Sequence, residues 1–208
     1  MRILAISIGS AVPLFVPGPG GTREQVMSGI RKSAVSTVAD PRPIALAELG
    51  FEGDEQVDLT VHGGRDKAVY AYPIEHYATW RTMRQQATQI DEPLPPGFMG
   101  ENLTIEGPLE KRVWIGDVLV LEPAVPSDAP PVRLRVNSPR QPCFKFNARM
   151  GFNQASKMMV QSAFTGFYLE VLQTGKVTAG DTIRVLPGAR EVTIHELFRL
   201  MTRGRKIS

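Results

Sequence analysis

The segment VRLRVNSPRQPCFK (132–145) joins an alternating stretch to the only cysteine of the chain. Apolar and polar residues alternate through VRLRVN, which predicts a strand with one face in a core and the other in solvent. Pro139 and Pro142 follow, and each proline restricts both its own φ and the residue before it. The backbone therefore reaches Cys143 with few conformations open to it.

Cys143 lies between two cations, Arg140 and Lys145, which favour the thiolate form of its side chain. The thiolate is the form that attacks an electrophile or binds a metal ion. A lone cysteine is otherwise most often a small buried hydrophobe, and the sequence leaves that alternative open. No histidine pair or cysteine pair has the spacing of a zinc site, so the sequence argues against structural zinc.

Around this segment, short apolar runs alternate with Gly- and Pro-rich turns, which is typical of a β-barrel or β-sandwich. The predicted helices are few. One opens at Pro73, one or two lie within 146–164, and a short one lies near the C-terminus at 193–203. Residues 10–25 are rich in Gly and Pro, and we interpret them as a mobile loop.

The residue spacing predicts an apolar face for the helix that begins at Pro73. Ile74, Tyr77 and Trp80 recur at a spacing of three, whereas His76 is expected to lie off this face. The Gly-rich loops that precede the helix match neither a Walker A motif nor a dinucleotide-binding motif, so the sequence gives no sign of a nucleotide site.

The composition indicates one globular domain with a short appendage: 208 residues, of which 42% are hydrophobic. We place a β-barrel domain at 1–188 and a short C-terminal helical tail at 189–208. The net charge of +3 is scattered, and we expect no nucleic-acid partner. Apolar runs are too short for a membrane span, and a single cysteine excludes an internal disulfide, so we expect a cytoplasmic protein, with a homodimer left open.

Six short motifs in order resemble the MOSC domain, the module at the C-terminus of molybdenum cofactor sulfurase, and most closely its stand-alone bacterial YiiM-type members. The motifs are GFEGD (50–54), HGG (62–64), YPIEHY (72–77), GENL (100–103), IGD (115–117) and PRQPC (139–143). The resemblance implies a mainly β fold, a MOSC-type closed β-barrel with a few flanking helices and a short C-terminal helix. Two departures are a C-terminal helical region shortened to about one helix, and a phenylalanine directly after Cys143.

The resemblance also implies roles for particular residues. Cys143 is expected to bind molybdenum or carry sulfur, and His62 to relay a proton, unless it only caps a turn. Asp54 and Asp58 are expected to hold their loop through backbone N–H groups rather than to act as acids. The candidates for holding the phosphate of the molybdenum cofactor (molybdopterin), each otherwise a solvated surface group, are Lys32, Arg65, Lys67, Asn102 and Arg140.

The implied activity is the reduction of N-hydroxylated compounds such as hydroxylaminopurines, which would detoxify N-hydroxylated bases. The sequence has no flavin, haem or iron–sulfur motif, so the electrons are expected to come from a separate reductase. Two alternatives remain open. One alternative to the reductase is a carrier of sulfur or cofactor without its own turnover. The other is a non-catalytic module that binds a phosphorylated molecule such as pyridoxal phosphate.

Overall fold

The structure is a computed structural model that describes residues 1–18, 20, 22–57, 63–107, 109–126 and 128–203. The strands within these ranges are β1 (Arg2–Ile8), β2 (Val12–Pro17), β3 (Arg23–Ser28), β4 (Ser33–Thr37), β5 (Ile44–Ala47), β6 (Gly50–Phe51), β7 (Val69–Pro73), β8 (Leu103–Glu106), β9 (Val118–Glu122), β10 (Val132–Pro139), β11 (Phe167–Gln173), β12 (Gly175–Val177) and β13 (Thr182–Leu186). The α-helices are α1 (Tyr77–Thr88), α2 (Phe144–Met150), α3 (Ala155–Ser162) and α4 (Ile194–Thr202).

Seven of the described strands close into a barrel. They follow the order β13-β9-β10-β11-β7-β8-β1, and β1 pairs with β13 to complete the ring. Only β7 and β8 pair in parallel within this ring, and β4 adds to it beside β1. The closed, mainly β fold predicted from the sequence is confirmed.

The alternation in β10 separates core from solvent as predicted. Leu134 and Val136 are fully buried and belong to the barrel core. Between them Arg135 points outward, where its guanidinium pairs with the carboxylate of Glu170 on β11 at 2.5 Å. The apolar side of β10 therefore faces the barrel core, and its charged side faces solvent.

A second apolar cluster packs α1, α2 and α3 against the wall formed by β7 and β11. Trp80 of α1 is fully buried, contacts the ring of Phe146 on α2 edge-on at 5.3 Å, and donates its indole N–H to the hydroxyl of Tyr72 at 2.5 Å. Cys143 is the N-cap residue of α2. This cluster therefore holds the cysteine at a fixed place beside the barrel.

The interpretation of residues 10–25 as a mobile loop is wrong, because they contribute to a hairpin formed by β2 and β3. The side chains of β2 alternate in burial, so that Leu14 and Val16 are buried while Phe15 between them is exposed. Pro13 and Pro17 fit because the hairpin is a separate two-stranded sheet, in which each strand has a free edge.

The predicted tail contains α4, which packs on the barrel. Its first turn carries a capping box, in which Thr193 and Glu196 satisfy each other's backbone N–H groups. Ile194 and Phe198 are fully buried, and Ile194 joins the barrel core. None of the helices in the described ranges is both long and apolar enough to cross a lipid bilayer.

Candidate functional site

A cavity lies where the cysteine segment meets the barrel wall. Its empty volume is about 680 Å³, part of which is open to solvent. Five of the side chains predicted for the site line it: Lys32, Lys67, Asn102, Arg140 and Cys143. They come from four separate segments of the chain, so it is the fold that brings them together.

One predicted site residue lies elsewhere, and another falls outside the described residues. Arg65 does not line this cavity, because its side chain is 72% exposed and its guanidinium pairs with Glu48 at 2.6 Å on the surface. His62 lies outside the described residues, as does Asp58 of the same motif region. The structure therefore offers no support for Arg65 at this cavity, and the role of His62 stays a prediction.

Cys143 is a half-buried wall residue of the cavity and is absent from both apolar clusters. It lies four residues after the end of β10, and its carbonyl accepts hydrogen bonds from the hydroxyl of Ser156 at 2.9 Å and from the amide of Phe146 at 2.9 Å. These bonds hold the backbone on the C-terminal side of the sulfur, and the prolines restrict it on the N-terminal side. The alternative of a core-filling cysteine does not describe this position.

Arg140 carries a buried positive charge into the cavity. Its guanidinium lies 5.1 Å from the ring centroids of both Tyr70 and Phe146, and the residue is only 6% exposed. Nη1 is buried and has no hydrogen-bond partner among the described residues. Burial opposes the charge, but Tyr70, Tyr168 and Cys143 outweigh it and raise the pKa of Arg140, so the guanidinium remains protonated. An unpaired buried donor of this kind is suited to an anion.

Lys32 is already neutralised by a neighbouring carboxylate. Its ammonium pairs with Oδ1 of Asp54, which also accepts the amide of Gly9 at 2.9 Å, while Oδ2 accepts Nδ2 of Asn102 at 2.8 Å. Burial lowers the pKa of Lys32, and the charge of Asp54 opposes this effect. Asp54 thus holds its loop through a backbone N–H, as predicted, and Lys32 contributes little net charge to the cavity.

Two tyrosines complete the cavity wall, and the sequence analysis did not find them. Tyr70 on β7 and Tyr168 on β11 are direct cross-strand partners, so both rings lie on the same face of the barrel wall. Burial raises the pKa of both hydroxyls, and the charge of Arg140 opposes it. In the sequence each tyrosine is one aromatic residue within an apolar strand, and only the pairing of the strands identifies it as part of the site.

The expectation that His76 lies off the apolar face is wrong. His76 is 3% exposed, its Nε2 lies 2.8 Å from Oε2 of Glu110, and its ring stacks on Phe164 at 3.9 Å. The reason is local geometry. Residues 74–76 form a 3₁₀ turn before α1 begins at Tyr77, so the helical spacing used for the prediction does not apply to them.

Glu101 is a buried carboxyl behind the cavity. Its Oε1 accepts the amide of Gly97 at 2.8 Å and the hydroxyls of Thr104 at 2.7 Å and of Tyr77, while Oε2 has no partner among the described residues. Burial raises the pKa of Glu101 above its ordinary value of 4.5, although the hydrogen bonds oppose the shift. The folded protein therefore holds this proton more tightly than the unfolded chain does.

We expect Glu101→Gln to gain stability relative to the wild type as pH rises. The stabilisation from a raised carboxyl pKa is complete below the unfolded value and is lost as pH rises through the folded value. The glutamine side chain stays neutral at every pH, and its carbonyl oxygen can still accept from Gly97, Thr104 and Tyr77. The variant therefore does not lose this stabilisation as pH rises. Urea unfolding at several pH values above 4.5 measures the difference, with the exposed Glu92→Gln as control. A difference that does not change with pH would contradict a raised pKa.

The comparisons with known proteins agree on one family. The family model of the MOSC domain matches residues 58–184. The chain is 35% identical to YflK of Bacillus subtilis (strain 168), over 88% of this chain and 72% of that protein. It is 32% identical to YiiM of Escherichia coli (strain K12), over 80% of this chain and 69% of that protein. The chain belongs to the MOSC domain family.

Two further matches concern function and fold. A protein of Gibberella moniliformis (strain M3125 / FGSC 7600) named "Reductase" is 31% identical over 80% of this chain, which corresponds to 28% of the fungal protein. The crystal structure of YiiM from Geobacillus stearothermophilus superposes with a TM-score of 0.69 and 26% identity, over 97% of this chain and 84% of that chain. The family and the YiiM-like barrel predicted from the sequence motifs are confirmed.

Proposed function

We propose that the chain is a molybdenum-cofactor-dependent oxidoreductase that reduces N-hydroxylated compounds. The observation that carries the proposal is the pairing, in one cavity, of a single thiol with a buried cation whose Nη1 has no partner among the described residues. The thiol of Cys143 suits a soft metal, and the guanidinium of Arg140 suits a phosphate. Membership of the MOSC family and a relative named "Reductase" also support an oxidoreductase.

The residues present fit such a cofactor. No group of three or more His, Cys, Asp or Glu side chains in the described ranges is arranged to hold a metal ion, so the protein would supply one ligand, Cys143, and the cofactor the others. Arg140 would hold the phosphate, with Lys67 as a further contact on the same cavity wall. The side-chain amide of Asn102 already donates to the carbonyl of Ser7 and to Asp54, so it orders the wall rather than contacting the phosphate. Lys32 is not assigned to the phosphate, because its ammonium forms an ion pair with Asp54 and so orders the loop.

The proposed reaction converts R–NHOH, two electrons and two protons into R–NH₂ and water. When bound, the cofactor supplies the two electrons, and a separate reductase restores them. The chain has to orient the N–O bond and to protonate the oxygen that departs. Tyr70 and Tyr168 provide an aromatic wall on which a flat base can pack, and we assign the proton to His62.

Turnover is the direct test of the proposal. We expect cofactor-loaded protein, with a reduced dye or a flavin reductase as electron donor and oxygen excluded, to convert 6-hydroxylaminopurine to adenine. The pH profile should show one ionisation near neutrality that disappears in His62→Asn, because asparagine does not titrate. An unchanged profile would remove His62 from the mechanism while leaving the reaction itself intact.

Two negative results separate the alternatives. Metal-replete protein that turns over neither this substrate nor simple hydroxylamines, with several electron donors, would favour a carrier that holds sulfur or cofactor on Cys143. Protein without bound molybdenum, purified from a host that makes the cofactor, would instead favour a module that binds a phosphorylated molecule through Arg140.

A further inference from the structure

A second buried polar network lies behind Arg140, away from the cavity. Glu110 is 3% exposed, and its Oε1 accepts the backbone amides of Thr165 at 3.0 Å and Gly166 at 2.8 Å. Its Oε2 lies 2.8 Å from Nε2 of His76. A buried carboxylate is costly unless it is fully hydrogen-bonded, and these contacts satisfy both oxygens.

The segment that Glu110 holds is the one that supports the site. The hydroxyl of Thr165 donates to the carbonyl of Arg140, and the carbonyl of Thr165 accepts the hydroxyl of Tyr70 at 2.8 Å. The ring of Tyr70 is in turn one of the two aromatic rings whose centroids lie 5.1 Å from the guanidinium of Arg140. The backbone of Arg140 and one of its two flanking rings therefore depend on the same segment.

Two more contacts restrict this segment. The ring of His76 stacks on Phe164, whose carbonyl accepts the hydroxyl of Tyr72 at 3.0 Å. Gly166 has φ +63°, and a Cβ there would lie 2.5 Å from the carbonyl oxygen of Ala71. The segment therefore has little room to move. The contact with His76 orients the carboxylate of Glu110 that accepts the amides of Thr165 and Gly166.

We propose that the buried His76–Glu110 pair positions Arg140 for anion binding by holding residues 164–166. The pair is a positioning device and not part of the reacting centre, because neither residue lines the cavity. This inference rests on the proposed role of Arg140 as the anion anchor, but not on any turnover. It also gives a role to the histidine of the YPIEHY motif, which the proposed reaction does not use.

The Nε–H resonance of Arg140 in metal-free protein reports its position directly. Two rings at 5.1 Å shift this resonance, and it is assigned by its absence in Arg140→Met. We expect His76→Phe, which keeps a ring against Phe164 but loses the bond to Glu110, to move or broaden it. His76→Gln should restore it, because an amide N–H can donate to the carboxylate.

A matched control separates positioning from general loss of stability. Asp181 is also a buried carboxylate that accepts two backbone amides, those of Ala124 at 3.0 Å and Thr178 at 2.8 Å, but it lines no part of the cavity. Asp181→Ala is expected to lower the melting temperature and to leave the Arg140 resonance unchanged. A folded His76→Phe variant with a wild-type Arg140 resonance would overturn the inference.

Inorganic phosphate provides the binding readout. Relative to the wild type, we expect Arg140→Met to weaken phosphate binding by about tenfold and His76→Phe by about fivefold. The double variant should bind no more weakly than Arg140→Met, because both changes remove the same contact. Additive losses would show that His76 acts independently of Arg140 and would overturn the inference. Wild-type protein that binds no phosphate through Arg140 would overturn the anion role itself, whereas a failure of turnover alone would leave these results standing.

Discussion

Cys143→Ser protein, purified from a host that makes the molybdenum cofactor, is expected to contain no bound molybdenum and to lose the proposed reductase activity while remaining folded. The hydroxyl of serine is a hard and largely protonated ligand, whereas a metal bound among sulfur donors favours a thiolate. The fold should survive because Cys143 is half-buried, lies at a cavity wall and belongs to neither apolar cluster. Metal analysis and circular dichroism measure the two parts of this result.

The matched controls are wild-type protein from the same host and wild-type protein from a host that lacks the cofactor. The first sets full occupancy, and the second sets the background of adventitious metal. The hydroxyl of Ser156 donates to the backbone carbonyl of Cys143, so Ser156→Ala should keep most of the metal and shows what a disturbed backbone alone can do. A folded Cys143→Ser variant with wild-type molybdenum content would disprove the metal role of the sulfur.

The barrel strands could be predicted from the residue pattern, whereas their closure was implied only by the resemblance to a known family. The alternation of VRLRVN identifies which side of β10 faces the core, because the side-chain period of a strand is two. The pairing of β1 with β13 joins the two ends of the described barrel, and it rests on the single register pair of Arg2 with Thr182. No local pattern in either strand specifies a partner that is so distant in the chain.

The prolines led to the wrong prediction for residues 10–25. Whether a proline is tolerated in a strand depends on whether its side of the strand is paired with another strand. In the middle of a wide sheet, Pro13 and Pro17 would each remove a ladder hydrogen bond. In an isolated hairpin each strand has one unpaired side, and the prolines face it at little cost. Leu14, Phe15 and Val16 are all apolar, so the sequence shows no alternation, and only the structure reveals that Leu14 and Val16 are buried while Phe15 is exposed.

For the site as well, the sequence could predict the position of some residues but not of others. Arg140 and Cys143 share one segment, so their proximity could be predicted from the sequence. Arg65 and Lys67 are only two residues apart, yet one is at the surface and the other lines the cavity, because they lie in one 3₁₀ turn. A turn of about three residues separates their directions widely, and the sequence does not indicate which of them faces inward.

That difference provides a matched pair for the second large effect. We expect Arg140→Met to weaken binding of the molybdenum cofactor by about 1–3 kcal/mol, or roughly 5- to 150-fold, and Arg65→Met to leave it unchanged. Both substitutions remove one guanidinium and add the same side chain, so the net charge of the two variants is identical. Any effect of overall charge on an anionic ligand is therefore cancelled in the comparison.

The physical reason for the large effect is that Arg140 is neutralised by no carboxylate among the described residues. Its Nη1 is buried and has no hydrogen-bond partner in the part of the chain that the structure describes. A phosphate that reaches it therefore gains a charge-assisted hydrogen bond at a site already removed from water. Arg65 instead pairs with Glu48 in solvent, where an added anion gains little. Methionine is long enough to reach the rings of Tyr70 and Phe146, so the apolar packing is kept while the charge is removed. Titration of both metal-free variants with the cofactor measures the difference, and equal affinities for the two would refute the assignment of the anion to Arg140.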